Sequence, residues 1–438
     1  MMTDEPPPPS LGEQFLAYLT AGPAAPASDG PAEPARFDGV DLRAEAVAGA
    51  ARGDPPPAWW DAAEKRVRVA DAVLPGASLR SANLAGVCLE NANLAGADLA
   101  DADLTGAVLG GANLSAALLE DADLRDAHLR FADLGMAALE GADLRGADLW
   151  GAKCREADLD KIDFRKAELE EADLRDVDAR ECDFREARLG LTDFRGADLK
   201  RSDFRGAVLR GTKFDGADLQ LANLQDLDLS GCALTHVRLA DARMDGTRLS
   251  PHQFGGALGE EAAGDYEAAV RGYRTLERNF AGQGDPDAAS WAYRKRRRMA
   301  KRQAGREALR LMRGQSYGVG FDSAFQWLAD WVVELVCDYG DSVPRVLMTY
   351  LVVVIGFGLG YAAGGAVERD AAGGGRAVTR TVDDMILYSL KAMIAPGEPP
   401  DGLHAAGYRV QLATMVQSSA GLFLIGLLGF VAGNRIRR

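Results

Sequence analysis

The sequence predicts a mixed architecture, a stacked square β-coil followed by a helical hairpin and a helical membrane domain, on three observations. An apolar residue returns every five positions from Leu74 to Phe254 without insertion or deletion. Over the same stretch, side chains twenty positions apart match in size and charge. Near the C-terminus, two long apolar runs enclose a third that is too short to cross a bilayer.

A period of five fits neither the helical 3.6 nor a two-residue alternation. It fits an extended side on which the centre and the residue two before it point inward, the residue between them points outward, and the other two turn a corner. Leucine holds many centres (Leu84, Leu94, Leu104, Leu124, Leu144), and phenylalanine takes over at Phe164, Phe184, Phe194, Phe204 and Phe214. Four such sides make a coil of twenty residues. Phe164, Phe184 and Phe204 then form one column, and Asp103, Asp123, Asp143, Asp163, Asp183 and Asp203 another, with Arg125, Arg145, Arg165, Arg185 and Arg205 beside it. The Ala-Asp/Asn-Leu beat resembles the pentapeptide-repeat family. That resemblance implies a right-handed quadrilateral β-helix over residues 69–254, with Cys154 and Cys182 in inward slots and Ala179 as an undersized centre.

Length allows several domains, and the net charge of −15 lies mostly in the repeat. Arginine outnumbers lysine and alanine and glycine abound, which suits a GC-rich prokaryotic coding sequence. The five cysteines and four histidines show neither paired nor metal-ligand spacing, and no nucleophile–base pair or phosphate-binding loop stands out. No enzyme, metal or cofactor is therefore expected.

Before the repeat, residues 1–36 are Pro- and Ala-rich and read as disordered, apart from a short piece with Ser10 and Glu13 as a capping box. Residues 37–68, with Trp59 and Trp60, read as a lid on the open coil end, because repeat stacks need caps. After Phe254 the beat stops, and residues 255–313 show helical spacing in two segments, a hairpin. Its second helix carries Arg294, Lys295, Arg296, Arg297 and Arg298, the start of a basic run expected to sit on anionic lipid. Residues 314–342 follow as an interfacial amphipathic helix, with Phe321, Phe325, Leu328, Trp331, Val332 and Leu335 on its apolar stripe.

Residues 343–438 form the membrane domain. Pro344 stands in the first turn of a span free of charge from Val346 to Ala363, with Gly356 and Gly360 as a small-residue face. A second span runs from Val410 to Gly433. Between them, Met385 to Ile394 has the length of a re-entrant helix. Span, short helix, loop and span resemble the two-transmembrane pore module of the potassium-channel superfamily. The resemblance implies a tetramer, a filter near Met393, Ile394, Ala395, Pro396 and Gly397, and an inner helix on which Gln417, Ser418 and Gly421 line the path. The sequence departs from the family at the filter, where Pro396 and a single glycine replace Thr-Val-Gly-Tyr-Gly. Glu398 and Asp401 would supply an acidic ring that attracts cations. Base counts on either side of the spans do not orient the domain. A nine-coil rod without an export signal is expected to stay in the cytoplasm, with the C-terminus.

The function expected first is therefore a prokaryotic cation channel of the cell membrane, with a cytoplasmic repeat domain for an unknown protein partner. The alternative is a non-conducting, membrane-anchored scaffold. A DNA-mimicking regulator is the third reading, opposed by the membrane anchor and by the arginine ladder beside the aspartates; a nucleic-acid partner is not expected.

Overall fold

The computed structural model describes residues 60–61, 66–67, 69–313, 332–336, 338, 342–364, 367–370, 376–379, 381–395 and 402–436. Most of the lid, the capping box at Ser10, most of the amphipathic segment and the loop residues Pro396, Gly397, Glu398 and Asp401 lie outside them. Within the described part of the lid, β1 (Trp60–Asp61) pairs antiparallel with β2 (Arg66–Val67). The chain divides into two compact units, Met1–Met299 and Ala300–Arg438.

In the first unit the square coil begins at Val69. Outward residues twenty apart form parallel bridges, from Val73 with Asn93 to Asp228 with Arg248. The sides are too short for continuous strands. Each bridges through a single residue, and its backbone groups reach the coils above and below, as Leu94 N–H donates to Asn113 C=O at 2.7 Å and Asn93 N–H to Ala72 C=O at 2.8 Å. The corner follows by local chemistry. Ala97 N–H donates to Leu94 C=O at 3.0 Å, and Gly96, third in the turn, has φ +66°. This is the turn type that demands a left-handed third residue. Of the corner positions that recur every five residues from Asp71 to Gly246, all except Gly231 have positive φ. None of them is Val, Ile or Thr, the residues that region penalises most.

The outward residue of the motif serves the same corner. Asp103 Oδ1 accepts from Thr105 N–H at 3.0 Å, and Asn93 Oδ1 from Ala95 N–H at 3.3 Å, so Asp and Asn alternate in that slot because either oxygen caps the turn. Arginine two residues on closes a two-point pair with its own aspartate, as Arg125 Nε and Nη2 do with Asp123 at 2.8 and 2.5 Å. Hydrogen bonding by Arg125 holds the Asp123 carboxyl below the usual carboxylate range.

Inside, Phe164, Phe184 and Phe204 stack with centroids 4.9 and 4.8 Å apart, and Phe194 and Phe214 form a second stack that meets the first edge-on. Where a polar residue takes the inward alanine slot, its hydroxyl or thiol donates to a corner carbonyl of the coil before. Thr192 donates to Leu169 C=O, Ser202 to Ala179 C=O and Cys182 to Leu159 C=O. Burial pushes the Cys154 thiol up to about 12.

The coil ends in a short turn, Pro251–Phe254, and is sealed by helices. These are α1 (Gly259–Ala263), α2 (Tyr266–Gln283) and α3 (Pro286–Arg313). They answer the free backbone groups of the last coil. Glu260 Oε1 accepts from Leu239 and Ala240 N–H, both at 2.7 Å, and Asn279 Nδ2 donates to Thr247 C=O at 2.8 Å. Phe254 stacks on Trp291, which meets Tyr273 edge-on. The hairpin thus seals the C-terminal end of the coil.

In the second unit, α4 (Val343–Gly364) and α6 (Tyr408–Ile436) are long and apolar enough to cross a bilayer by length and composition. Between them lie α5 (Val382–Ile394) and a three-stranded antiparallel sheet, β3 (Val367–Asp370) flanked by β4 (Arg376–Val378) and β5 (Leu403–Ala405). The sheet has no counterpart in the sequence reading, because strands of three or four residues carry too few positions to show a period.

Candidate functional site

The three helices of the second unit position the candidate site. Asp384, in the first turn of α5, accepts from Thr379 Oγ1 at 2.7 Å and pairs with Arg369 of β3 at 3.2 Å, which ties the start of the helix to the sheet. From there α5 runs about 20 Å if straight. Its first half packs with the sheet ends of the long helices, since Met385 and Tyr388 cluster with Tyr361, Val367 and Leu403. Its second half packs beside their middles. Ser389 Oγ donates to Val354 C=O at 2.6 Å, and Met393 clusters with Val354 and Leu424. Val354 is twelfth of the 22 residues of α4, and Gly421, against Met393, is fourteenth of the 29 of α6.

Two glycines permit this depth. A Cβ on Gly421 would stand 2.5 Å from Met393 O, and one on Gly358 would meet Ile386 Cα at 3.2 Å. Gly356 and Gly360, the small-residue face read from the sequence, meet nothing within 4 Å of a built Cβ and line an open groove on α4 with Val353, Phe357 and Ala413.

Of the filter candidates, Met393 is buried in this contact, Ile394 is exposed and Ala395 follows the last turn. Pro396, Gly397, Glu398 and Asp401 lie outside the described residues. Of the lining candidates, Gln417 and Ser418 are buried and turned toward α5. Gln417 Nε2 donates to Ser389 O at 2.9 Å and Oγ at 2.5 Å, its Oε1 accepts from Tyr361 Oη at 2.8 Å, and Ser418 Oγ donates to Ala392 O at 2.8 Å. Within one chain their side chains hold the short helix. Ser389 and Tyr361, their partners, were missed. Isolated polar side chains in apolar helices are the available signal, but which pairs with which is set by packing.

The basic cluster has partners within the chain. Lys295 Nζ lies 3.1 Å from Glu261 Oε2 and Arg296 Nε 2.7 Å from Glu277 Oε2, and both also face aromatic rings, Tyr273 and Tyr293. None of the residues from Arg294 to Arg298 is exposed, and each has an interaction partner. For Lys295 and Arg296 the reason is that α1 and α2 turn Glu261 and Glu277 toward α3 in the cap. Among the described residues no group of three or more His, Cys, Asp or Glu is placed to hold a metal ion.

The sequence matches the family described as pentapeptide repeats in eight copies, which together run from residue 66 to 250. Residues 66–250 are pentapeptide repeats. Among solved structures, this chain is similar to HetL, a pentapeptide repeat protein involved in heterocyst differentiation regulation from Nostoc sp. strain PCC 7120. Identity is 29%, over 54% of this chain and 90% of that one, with a TM-score of 0.31. It is also similar to QnrB1, a plasmid-mediated fluoroquinolone resistance protein (21% identity, 45% and 95% covered, TM-score 0.23). A pentapeptide repeat protein from the Arabidopsis thaliana thylakoid lumen matches at 26% identity over 25% of this chain and 66% of that one, with a TM-score of 0.14. No curated protein matches. The pentapeptide repeats account for the coil, and the two long helices with α5 lie beyond every matched copy.

Proposed function

We propose that this chain is a subunit of a cation-conducting membrane pore, carrying its pentapeptide repeats in the cytoplasm as an arm for a protein partner. The observation that supports this reading is the depth of α5, which ends beside the middle residues of both apolar helices. A tether needs two spans and nothing that stops halfway between them. A helix that does stop there aims its C-terminal carbonyls, the negative end of its dipole, at the bilayer centre, where they favour a cation. One chain cannot enclose a path, so the reading requires a closed ring of subunits, and fourfold symmetry is what the channel resemblance implies. The coil supports the second half of the proposal. Its fixed corners hold side chains at constant spacing, and its paired Asp and Arg columns leave a surface suited to recognition more than to chemistry.

The competing reading is an anchored scaffold, favoured by the loop, where Pro396 and a single Gly397 stand in place of a carbonyl ladder. Cysteine at Ala395 separates the two. In a pore, residues just past α5 converge on one axis, so Ala395→Cys crosslinks between subunits in membranes, and Glu398→Gln lowers cation current in planar bilayers while Glu368→Gln does not. An intact membrane protein that gives neither crosslink nor current overturns the pore.

A further inference from the structure

We infer that Gln417 is the positioning residue of the short helix, closing a three-helix ring of hydrogen bonds that fixes how deep α5 ends, with Ser418 capping that end. This rests on the membrane reading above. A helix that stops within hydrocarbon has a problem a spanning helix avoids, because its last four carbonyls lack an intrahelical partner and no water is present to take their place. Ala392 O is one of these four, and Ser418 Oγ donates to it at 2.8 Å; Lys391 O is another, taken by Ala395 N–H at 2.8 Å.

One turn earlier the ring closes. Tyr361 of α4 donates to Gln417 of α6, the Gln417 amide donates to Ser389 of α5, and Ser389 donates back to Val354 C=O of α4. Gln417 and Ser389 are fully buried and Tyr361 nearly so. The Gln417 amide accepts from α4 while donating to α5, and the Ser389 hydroxyl accepts from α6 while donating to α4, so the two side chains together close the ring. Both of its donor contacts end on Ser389, so a shift of α5 by one residue along its axis, about 1.5 Å, breaks both together. Bulk apolar packing tolerates such a slide and this geometry does not. Tyr388 and Thr414, 3.4 Å apart, add a further polar contact on the sheet side of the ring.

The test is hydrogen exchange of the full-length protein in lipid nanodiscs, which needs no conduction. Gln417→Leu raises exchange of the amides from Ser389 to Ala395 about tenfold, the equivalent of a 1.4 kcal/mol opening penalty lost, while the outer turns of α4 and α6 are unchanged. Ser389→Ala gives a similar rise. The double variant gives no more than either alone, since each breaks the same ring, whereas two independent packing contacts would add. Additive rises, or no rise in either variant, overturn the inference. If exchange rises as stated but no form carries current, the ring stands and the pore reading falls.

Discussion

The coil and the three-helix unit solve one problem, satisfying a polar backbone inside an apolar core, and solve it in opposite ways. In the coil every side borrows its partners from the coils above and below, so its inward side chains are left to pack and nearly all are Leu, Phe, Ala or Cys. In the helices the backbone is satisfied within each element except at the ends, so most side chains are free to tie one element to another, as buried Gln417 and Ser389 do, while Ser418 caps the end of α5. The coil is therefore built from one local rule used many times, and the helical unit from a few contacts used once each. Damage should spread in the first and stay local in the second.

The largest expected effect comes from the middle of the coil. Phe184→Asp places an unpaired charge between the rings of Phe164 and Phe204, at a position with no exposure. A cost above about 4 kcal/mol is expected, in the range reserved for buried unpaired charge. Each coil contacts only its neighbours, so hydrogen exchange should rise over residues 144–224 as a block while α4 to α6 keep their protection. A rise confined to the side that carries residue 184 would show that the coils do not depend on one another, and the contrast would fail.

The same contrast explains what could be read from the sequence. Coil register, phenylalanine column and end at Phe254 were legible because thirty-odd equivalent positions average out local exceptions such as Ala179. The lengths of α4 and α6 were legible from apolar runs, and α5 begins three residues before the expected Met385 because Val382, Asp383 and Asp384 form its first turn. The roles of Gly358, Ser389 and Tyr361 were not legible. Each depends on which face of one helix meets another, and no repeat reports that. For the same reason Arg294 to Arg298 read as a lipid-facing cluster with no sign that Lys295 and Arg296 have acidic partners, since Glu261 and Glu277 stand 34 and 19 residues before them.

The end of the coil sharpens the comparison, because there the next coil is missing and a side chain must take its place. Glu260 supplies one oxygen to two backbone N–H groups while its Oε2 is buried without a partner. Burial outweighs those two bonds and pushes the carboxyl up to about 7, with Asp218 nearby adding to the rise. A raised acid binds its proton more tightly folded than unfolded. Its contribution is therefore complete below about pH 4.5 and is lost as pH rises through about 7, a change of about 3 kcal/mol. Glu260→Gln keeps the accepting oxygen and removes the titration. Melting curves of the cap, followed by hydrogen exchange over Val237–Phe280, should favour the wild type at pH 5 and the glutamine variant at pH 8. Parallel pH dependence in the two proteins would mean that Glu260 does not titrate in this window.

The smallest effect concerns the exterior of the coil, where an ion pair and a turn cap share one residue. Asp143 Oδ1 accepts from Arg145 N–H at 3.1 Å, and the same carboxylate takes the Arg145 guanidinium at 2.5 to 2.9 Å. Both side chains are partly exposed, so the charge pair is screened and worth about 0.5 kcal/mol or less. The turn cap is a separate quantity, and Asn113 and Asn223 occupy the same slot with the same bond and no charge. Asp143→Asn should therefore shift the melting of the coil by little, since Arg145 also lies 3.7 Å from Asp163. Asp143→Ala loses the cap as well and should cost about 1 kcal/mol. If the asparagine variant were as damaged as the alanine variant, and raised salt weakened the wild type equally, the ladder of charges would be holding the coil together. If asparagine is silent and alanine is not, the aspartates recur for the corner they close, and their sign is left free for whatever the arm recognises.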